Sequence, residues 1–291
     1  MSKCFLCPRM CGADRQAGER GVCAEGGEIR VARAALHRYE EPPISGERGS
    51  GTVFFSGCSL RCVFCQNKAV SRGGSVGRQV SPRELADIFF ELRDMGAHNI
   101  NLVTPSHFAD GVIRALELAR PTLGIPVVYN TSGYERVETL RRFDRLVDIY
   151  LPDFKYASGE LAKKYSAAPD YPEVAEAAIS EMHRQVGKYI YGEDGMLKRG
   201  VIVRHLVLPS ARRDSMAVLD RLSRIAPKEE ILLSLMSQYT PEFAADSGCS
   251  ELCRRVTSFE YDSVLDYALS MGFEGFMQGR ASATARYTPD F

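Results

Sequence analysis

The chain is 291 residues long, 45% apolar and 25% charged, proportions that exclude a disordered polymer and suit a globular protein with a sizeable core. Lysine plus arginine and aspartate plus glutamate both number 37, so no net field favours nucleic acid or an anionic membrane, and neither is expected as a partner. Met1-Ser2-Lys3-Cys4 lacks the apolar run of a signal peptide, and no stretch of ~18 apolar residues could span a bilayer, so a cytoplasmic protein is expected.

The first 30 residues are rich in Gly, Cys and Arg with little apolar periodicity. Such a segment cannot build a core alone and needs a metal to hold it. Cys4-x2-Cys7-x3-Cys11-x11-Cys23 supplies four thiolates for one. Zinc fits the knuckle-like Cys7-Pro8-Arg9-Met10-Cys11-Gly12, an auxiliary iron–sulfur cluster fits the close packing of the first three cysteines, and four unliganded thiols are the remaining reading. The total of nine cysteines is odd, which with a reducing compartment argues against a disulfide framework. Glu40-Glu41-Pro42-Pro43-Ile44-Ser45-Gly46 reads as a linker, dividing a Cys-rich metal-binding segment, 1–45, from a core domain over 46–291.

Beyond it, short apolar runs at 52–55, 99–103, 125–129, 147–151, 201–208 and 231–235 suit buried parallel strands. Ser81-Pro82-Arg83-Glu84 is a capping box with Pro at the first helical position, followed by Leu85, Ile88, Phe89, Leu92 and Met95 on one face. Asp170-Tyr171-Pro172-Glu173 and Thr257-Ser258-Phe259-Glu260 repeat the device, with Gly187 and Gly272 as C-caps. Gly192-Glu193-Asp194-Gly195 is expected as a hairpin turn before the fifth run. Strand–helix alternation of this kind predicts an α/β fold with a parallel sheet.

In parallel barrels the ligand site forms where strands end, and here the ends are polar. Thr104-Pro105-Ser106-His107 follows the second run, Asn130-Thr131-Ser132-Gly133 the third and Asp153-Phe154-Lys155 the fourth. Arg204-His205 lies on the fifth, Ser237-Gln238-Tyr239 follows the sixth, and Gln278-Gly279 closes a last short run. Any single loop is polar for its own reasons, but successive polar ends on one rim are what a site requires.

The motif that carries chemistry follows the first run directly. Ser56-Gly57-Cys58-Ser59-Leu60-Arg61-Cys62-Val63-Phe64-Cys65 has the spacing C-x3-C-x2-C, with an aromatic residue, Phe64, before the last cysteine. Three thiolates occupy three corners of a 4Fe-4S cube and leave the fourth iron without a protein ligand. The amino and carboxylate groups of S-adenosylmethionine (SAM) can chelate that iron. One electron then breaks a carbon–sulfur bond, giving methionine and a 5′-deoxyadenosyl radical that abstracts a hydrogen atom. Zinc with an external fourth ligand is the competing metal reading.

At these residues the sequence resembles the radical SAM superfamily, and within it the group related to pyruvate formate-lyase-activating enzyme. The resemblance covers about residues 52–280, through the cysteine motif, Asn130-Thr131-Ser132-Gly133, Val147-Asp148-Ile149-Tyr150-Leu151-Pro152-Asp153-Phe154-Lys155 and Val203-Arg204-His205-Leu206-Val207-Leu208-Pro209. It implies a partial (β/α)6 TIM-like barrel with the cluster and SAM at its open top, and a SAM site built from Asn130, Thr131, Asp153, Lys155 and Arg204, with Phe64 beside the cluster. Lys, Arg and Asn independently suit the carboxylate and hydroxyls of SAM. A surface ion pair is the plainer reading of Asp153 and Lys155.

Two features depart from the family pattern. Gly-Gly-Glu after the second strand is replaced by Thr104-Pro105-Ser106-His107, so Thr104 or Ser106 is expected to stand in through hydroxyl and backbone acceptors. His107 is either a substrate-facing acid–base group or a loop histidine. A ferredoxin-like insertion after the cysteine motif, present in some activating enzymes, is missing. Cys249-Ser250-Glu251-Leu252-Cys253 reads as packing rather than a ligand pair. The resemblance implies an oxidoreductase that activates a glycyl radical enzyme, with flavodoxin or ferredoxin as electron donor. Radical modification of a peptide or small metabolite, and a non-catalytic iron–sulfur or zinc protein, are the other readings.

Overall fold

A computed structural model describes residues 3–73 and 76–277. Ten strands appear in chain order: β1 (Ile29–His37), β2 (Ser50–Phe55), β3 (Arg78–Val80), β4 (Ile100–Val103), β5 (Val127–Thr131), β6 (Ile149–Pro152), β7 (Ile190–Tyr191), β8 (Leu197–Leu206), β9 (Ile231–Met236) and β10 (Gly275–Met277). The sheet order is β10-β9-β8-β6-β5-β4-β2-β1-β3. From β2 to β10 all neighbours are parallel, whereas β1 pairs antiparallel with β2 and β3. The order does not close on itself, and helices cover the outer face. The fold is therefore α/β, an open partial barrel. The six expected runs are β2, β4, β5, β6, β8 and β9; of the last short run, Gln278 and Gly279 lie outside the described residues.

Local signals act as their chemistry dictates. Ser81 Oγ accepts from Glu84 N at 3.2 Å while Glu84 Oε2 accepts from Ser81 N at 2.7 Å, starting the helix Pro82–Asp94. Thr257 and Glu260 make the same reciprocal pair before Ser258–Ser270. Asp170 does not. It precedes the helix Tyr171–Val186, but its carboxylate accepts from the Tyr134 hydroxyl at 2.8 Å and caps nothing. The expected hairpin joins β7 to β8, with Gly195 at φ +71 in its turn.

The stretch expected as a linker is part of the interior instead. Residues Pro42–Ser45 form one helical turn, Ile44 is fully buried, and Asn99 Nδ2 donates to the Ile44 carbonyl at 2.7 Å. Proline and glycine here shape a plug rather than a hinge. Gly46 has φ +48, and a Cβ there would lie 2.8 Å from His98 Nε2 and Met196 Sδ, so a larger residue would strain the backbone and displace both side chains.

Strand alternation sorts each side chain to the helices or to the barrel lumen. Val127, Tyr129, Tyr150, Val201, Val203, Ile231 and Leu233 join the core under the helices. Their neighbours Val128, Ile149, Leu151, Ile202 and Leu232 pack with Ile44 in a second cluster inside the lumen. Two residues further along those strands, the lumen turns polar. The same parity that buries Val128, Leu151 and Ile202 inward aims Asn130, Asp153 and Arg204 inward.

Candidate active site

A cavity of about 250 Å³ opens at the carboxyl ends of the parallel strands, and its lining includes Cys58, Cys62, Phe64, Cys65, Thr104, Asn130, Thr131, Asp153, Lys155 and Arg204. The three cysteines lie on the loop after β2. Gly57 enters it at φ +83, where a Cβ would sit 2.6 Å from the Cys23 carbonyl oxygen, so glycine is required before Cys58. Val63 N donates to the Tyr165 carbonyl at 2.9 Å, and Ser166 Oγ donates to Cys62 Sγ at 3.0 Å. Phe64 meets Tyr165 and Tyr239 edge-on, at centroid distances of 6.5 and 6.0 Å.

Burial pushes the Cys58 thiol up, reinforced by Cys62 and Cys65; burial also raises Cys62, with the Lys155 ammonium opposing. Three crowded thiols on one wall, with a cation at hand, have the donor chemistry of an iron–sulfur cluster lacking a fourth protein ligand.

Facing them is a continuous polar network. Lys155 Nζ donates to Asp153 Oδ2 at 2.5 Å, and Arg204 Nε donates to Asp153 Oδ1 at 2.9 Å. Arg204 Nη2 donates to Asn130 Oδ1 at 2.6 Å, and its Nη1 reaches Glu40 Oε2 at 3.3 Å. Glu40 Oε1 accepts from both Asn101 and Asn130 at 3.2 Å. Burial works to raise the Asp153 carboxyl, but Arg204 and Lys155 outweigh it and hold Asp153 below the usual carboxylate range. Asp153 and Lys155 are thus no surface pair: their side chains are 15% and 17% exposed, inside the cavity.

Other expected residues turn away. Ser106 is buried outside the cavity lining, and its hydroxyl donates to Glu135. Thr131 borders the cavity, yet its hydroxyl also donates to Glu135. Tyr129 completes that cluster from 3.3 Å, and burial lifts the Glu135 carboxyl to about 7. Thr104 keeps a place on the wall at φ +58, a conformation strained for a β-branched residue.

His107 is buried with Nε2 against the Ser56 carbonyl at 2.6 Å, and faces no substrate. His205 has the opposite strand parity to Arg204 and is buried with Nδ1 against the Phe154 carbonyl at 2.7 Å. Gln238 and Tyr239 line the cavity; Ser237 does not. Glu40 and Glu41, on the lumen wall, were not singled out from the sequence. The signal available was an acidic pair directly before Pro-Pro, masked by the turn-rich composition of that stretch.

The N-terminal cysteines lie beside the cluster loop. Cys7 and Cys23 are buried, Cys4 half-buried and Cys11 exposed. Burial pushes the Cys7 thiol up to about 12. A Cβ on Gly21 would lie 3.2 Å from Cys11 Sγ and 3.3 Å from Cys23 Sγ, so the chain keeps a cradle clear between these sulfurs. Among the described residues no three His, Cys, Asp or Glu side chains converge at the spacing of ligands around a single ion. Arg9 Nε donates to the Ser59 carbonyl at 2.8 Å and Arg61 Nη2 to the Val22 carbonyl at 2.8 Å, fastening the segment to the loop between Cys58 and Cys62. Cys249 is buried and Cys253 exposed, with Cys253 Sγ 3.6 Å from the Cys249 carbonyl.

The radical SAM superfamily model matches residues 52–191. An uncharacterized protein of Methanocaldococcus jannaschii is 30% identical over 275 residues, spanning 91% of this chain and 74% of that protein. The chain belongs to the radical SAM superfamily. Among solved structures, Streptococcus suis SuiB bound to S-adenosylmethionine matches with a TM-score of 0.49 at 12% identity, over 80% of this chain and 51% of that chain. Methylornithine synthase matches with a TM-score of 0.44 at 16% identity, over 62% and 50%. The chain thus spans about half the length of these two solved chains. Among the described residues no helix is long and apolar enough to cross a membrane.

Proposed function

We propose that this enzyme holds a 4Fe-4S cluster through Cys58, Cys62 and Cys65 and uses SAM to abstract a hydrogen atom from a substrate in the barrel lumen. The observation that carries this reading is the sharing of one cavity by the three cysteines and the Asp153, Lys155, Arg204 and Asn130 network. The chemistry supplied at the cysteines is one-electron cleavage of SAM to methionine and a 5′-deoxyadenosyl radical. The chain's own part is to position. Lys155 and Arg204 offer N–H donors to the carboxylate and ribose of SAM, and Asp153 holds both cations in place. Phe64, braced by Tyr165 and Tyr239, shields the loop from water. A flavodoxin or ferredoxin is the expected electron donor.

The substrate reading favoured is a small molecule or a side chain that reaches into the lumen, because buried carboxylates there are better satisfied by a cationic group than by the neutral N–H donors of a glycine backbone. Activation of a glycyl radical enzyme is the alternative. We read Cys4, Cys7, Cys11 and Cys23 as a second metal site, zinc or iron–sulfur, that clamps the N-terminal segment onto the cluster loop through Arg9 and Arg61.

Anaerobic reconstitution with metal analysis, followed by dithionite and SAM, tests the proposal. Formation of 5′-deoxyadenosine that disappears in Cys62→Ala supports it; a redox-silent zinc protein, or unchanged product from Cys62→Ala, refutes it. Iron beyond four atoms per chain, or one zinc, identifies the second metal. Deuterium transfer into 5′-deoxyadenosine from a labelled small molecule, rather than from a protein glycine, decides the substrate.

A further inference from the structure

The charged side chains lining the cavity do not balance. Glu40, Glu41 and Asp153 face Lys155 and Arg204, while burial and Arg33 hold the His37 imidazole toward neutrality. Both cations are engaged, Lys155 by Asp153 and Arg204 by Asp153, Glu40 and Asn130. Glu41 lies in the field of Arg204 but forms no ion pair with it among the described residues. It is 3% exposed, and its Oε2 makes no hydrogen bond of good geometry among the described residues, although the Ser234 hydroxyl lies beside it. Asn101 Oδ1, next to Glu40, is a further buried acceptor without a partner.

Nothing local explains this placement. Glu41 precedes the turn Pro42–Ser45, yet its side chain does not cap it. Its backbone is pinned where it stands: the Glu41 carbonyl accepts from Ile44 N at 2.8 Å and Ser45 N at 3.1 Å, and Glu40 N donates to Ser45 Oγ at 2.9 Å. The side chain is thereby held against the cavity rather than swung to solvent. A buried carboxylate kept without a donor is unfavourable unless a ligand supplies one.

We propose that Glu41, with Glu40 beside it, receives a primary ammonium group of the substrate at the floor of the lumen. This rests on the radical SAM reading of the site and names the substrate class within it. An ammonium fits better than a guanidinium, because a planar fork needs a carboxylate with both oxygens free. Both oxygens of Glu40 already accept, which leaves no free edge on that carboxylate for a fork. Burial raises both the Glu40 and the Glu41 carboxyl, and a compact +1 charge beside them favours their ionised form. The group belongs to the substrate rather than to SAM. Glu41 lies beside Ser234 in the middle of β9, below the rim where Lys155 neighbours Cys62.

The test uses isothermal titration calorimetry of the anaerobically reconstituted, SAM-loaded protein with n-butylamine and n-butanol as probes. The expected result is amine binding at least tenfold tighter than alcohol binding, with Glu41→Gln weakening the amine about tenfold and the alcohol little. Equal binding of amine and alcohol, or unchanged amine affinity in Glu41→Gln, overturns the proposal. Competition between butylamine and SAM also overturns it, since the ammonium pocket is then SAM's own. If Glu41→Gln does not fold, the amine-to-alcohol ratio in the wild type decides alone. SAM cleavage by the wild type is scored separately: its absence overturns the radical reading, while loss of amine discrimination with cleavage intact overturns only the ammonium site.

Discussion

Arg204 Nη1 and Glu40 Oε2 meet at 3.3 Å across the lumen, although 164 residues separate them in the chain. Through its other two nitrogens Arg204 also holds Asp153 and Asn130. One guanidinium therefore ties the plug before β2 to the fifth, sixth and eighth strands, and couples the cavity floor to the wall beside the cysteines.

Arg204→Met removes the shared cation and leaves Asp153 and Glu40 buried. Breaking a buried pair by deleting one partner is worth about 3–5 kcal/mol. Urea unfolding should show a loss in that range, and equilibrium dialysis a weaker SAM affinity. A variant as stable as wild type would mean the network is solvated in solution.

Lys155→Met should act more locally. Arg204 still neutralises Asp153, so the fold persists, but one charged donor to SAM is lost. A charge-assisted hydrogen bond contributes roughly 1.5–3 kcal/mol, which predicts SAM binding weaker by about tenfold or more with little change in melting temperature. Unchanged binding would remove Lys155 from the SAM site.

Glu135 gives the protein a pH dependence of definite sign. Its folded pKa is raised from the ordinary 4.5 to about 7 by burial, so the unfolded chain releases the proton first. The stability linked to this group is present below pH 4.5 and is lost as pH rises through 7. The full window corresponds to on the order of 3 kcal/mol at about 1.4 kcal/mol per unit. Urea titrations should show wild type losing stability from pH 5 to 8 relative to Glu135→Gln, in which the group does not titrate. Parallel curves would show that Glu135 is ionised in the native state. Ser106→Ala should disturb this profile while leaving SAM affinity within about twofold, because its hydroxyl serves Glu135.

Gly21→Val tests the proposed metal site of the N-terminal cysteines apart from the cluster cysteines. Its branched side chain would start 3.2 and 3.3 Å from the sulfurs of Cys11 and Cys23. Metal analysis should show loss of the metal held by the N-terminal cysteines while Cys58, Cys62 and Cys65 retain theirs. Full retention of both would show that Cys11 and Cys23 do not share an ion or cluster.

Features legible in the sequence were local ones. The capping boxes at Ser81 and Thr257 are complete within four residues, and the C-x3-C-x2-C spacing within eight. Asp153, Lys155 and Arg204 were legible as polar strand ends, their SAM role came from the family resemblance, and the structure brings them into one cavity. Where reading failed, a distant competitor had intervened. Tyr134 takes the Asp170 carboxylate that was to cap a helix, and Glu135 takes the hydroxyls of Ser106 and Thr131.

By itself the sequence determined a parallel α/β chain bearing three cysteines at the end of its first parallel strand, because alternation and motif spacing are properties of neighbouring residues. Only the tertiary structure decided that Glu40 and Glu41 belong to the lumen, that His205 and Ser106 do not, and that the N-terminal Cys-rich segment is fastened to the loop between Cys58 and Cys62. Those outcomes depend on which side of a curved sheet a side chain faces and on which remote polar group reaches it first. Neither is written within any ten consecutive residues.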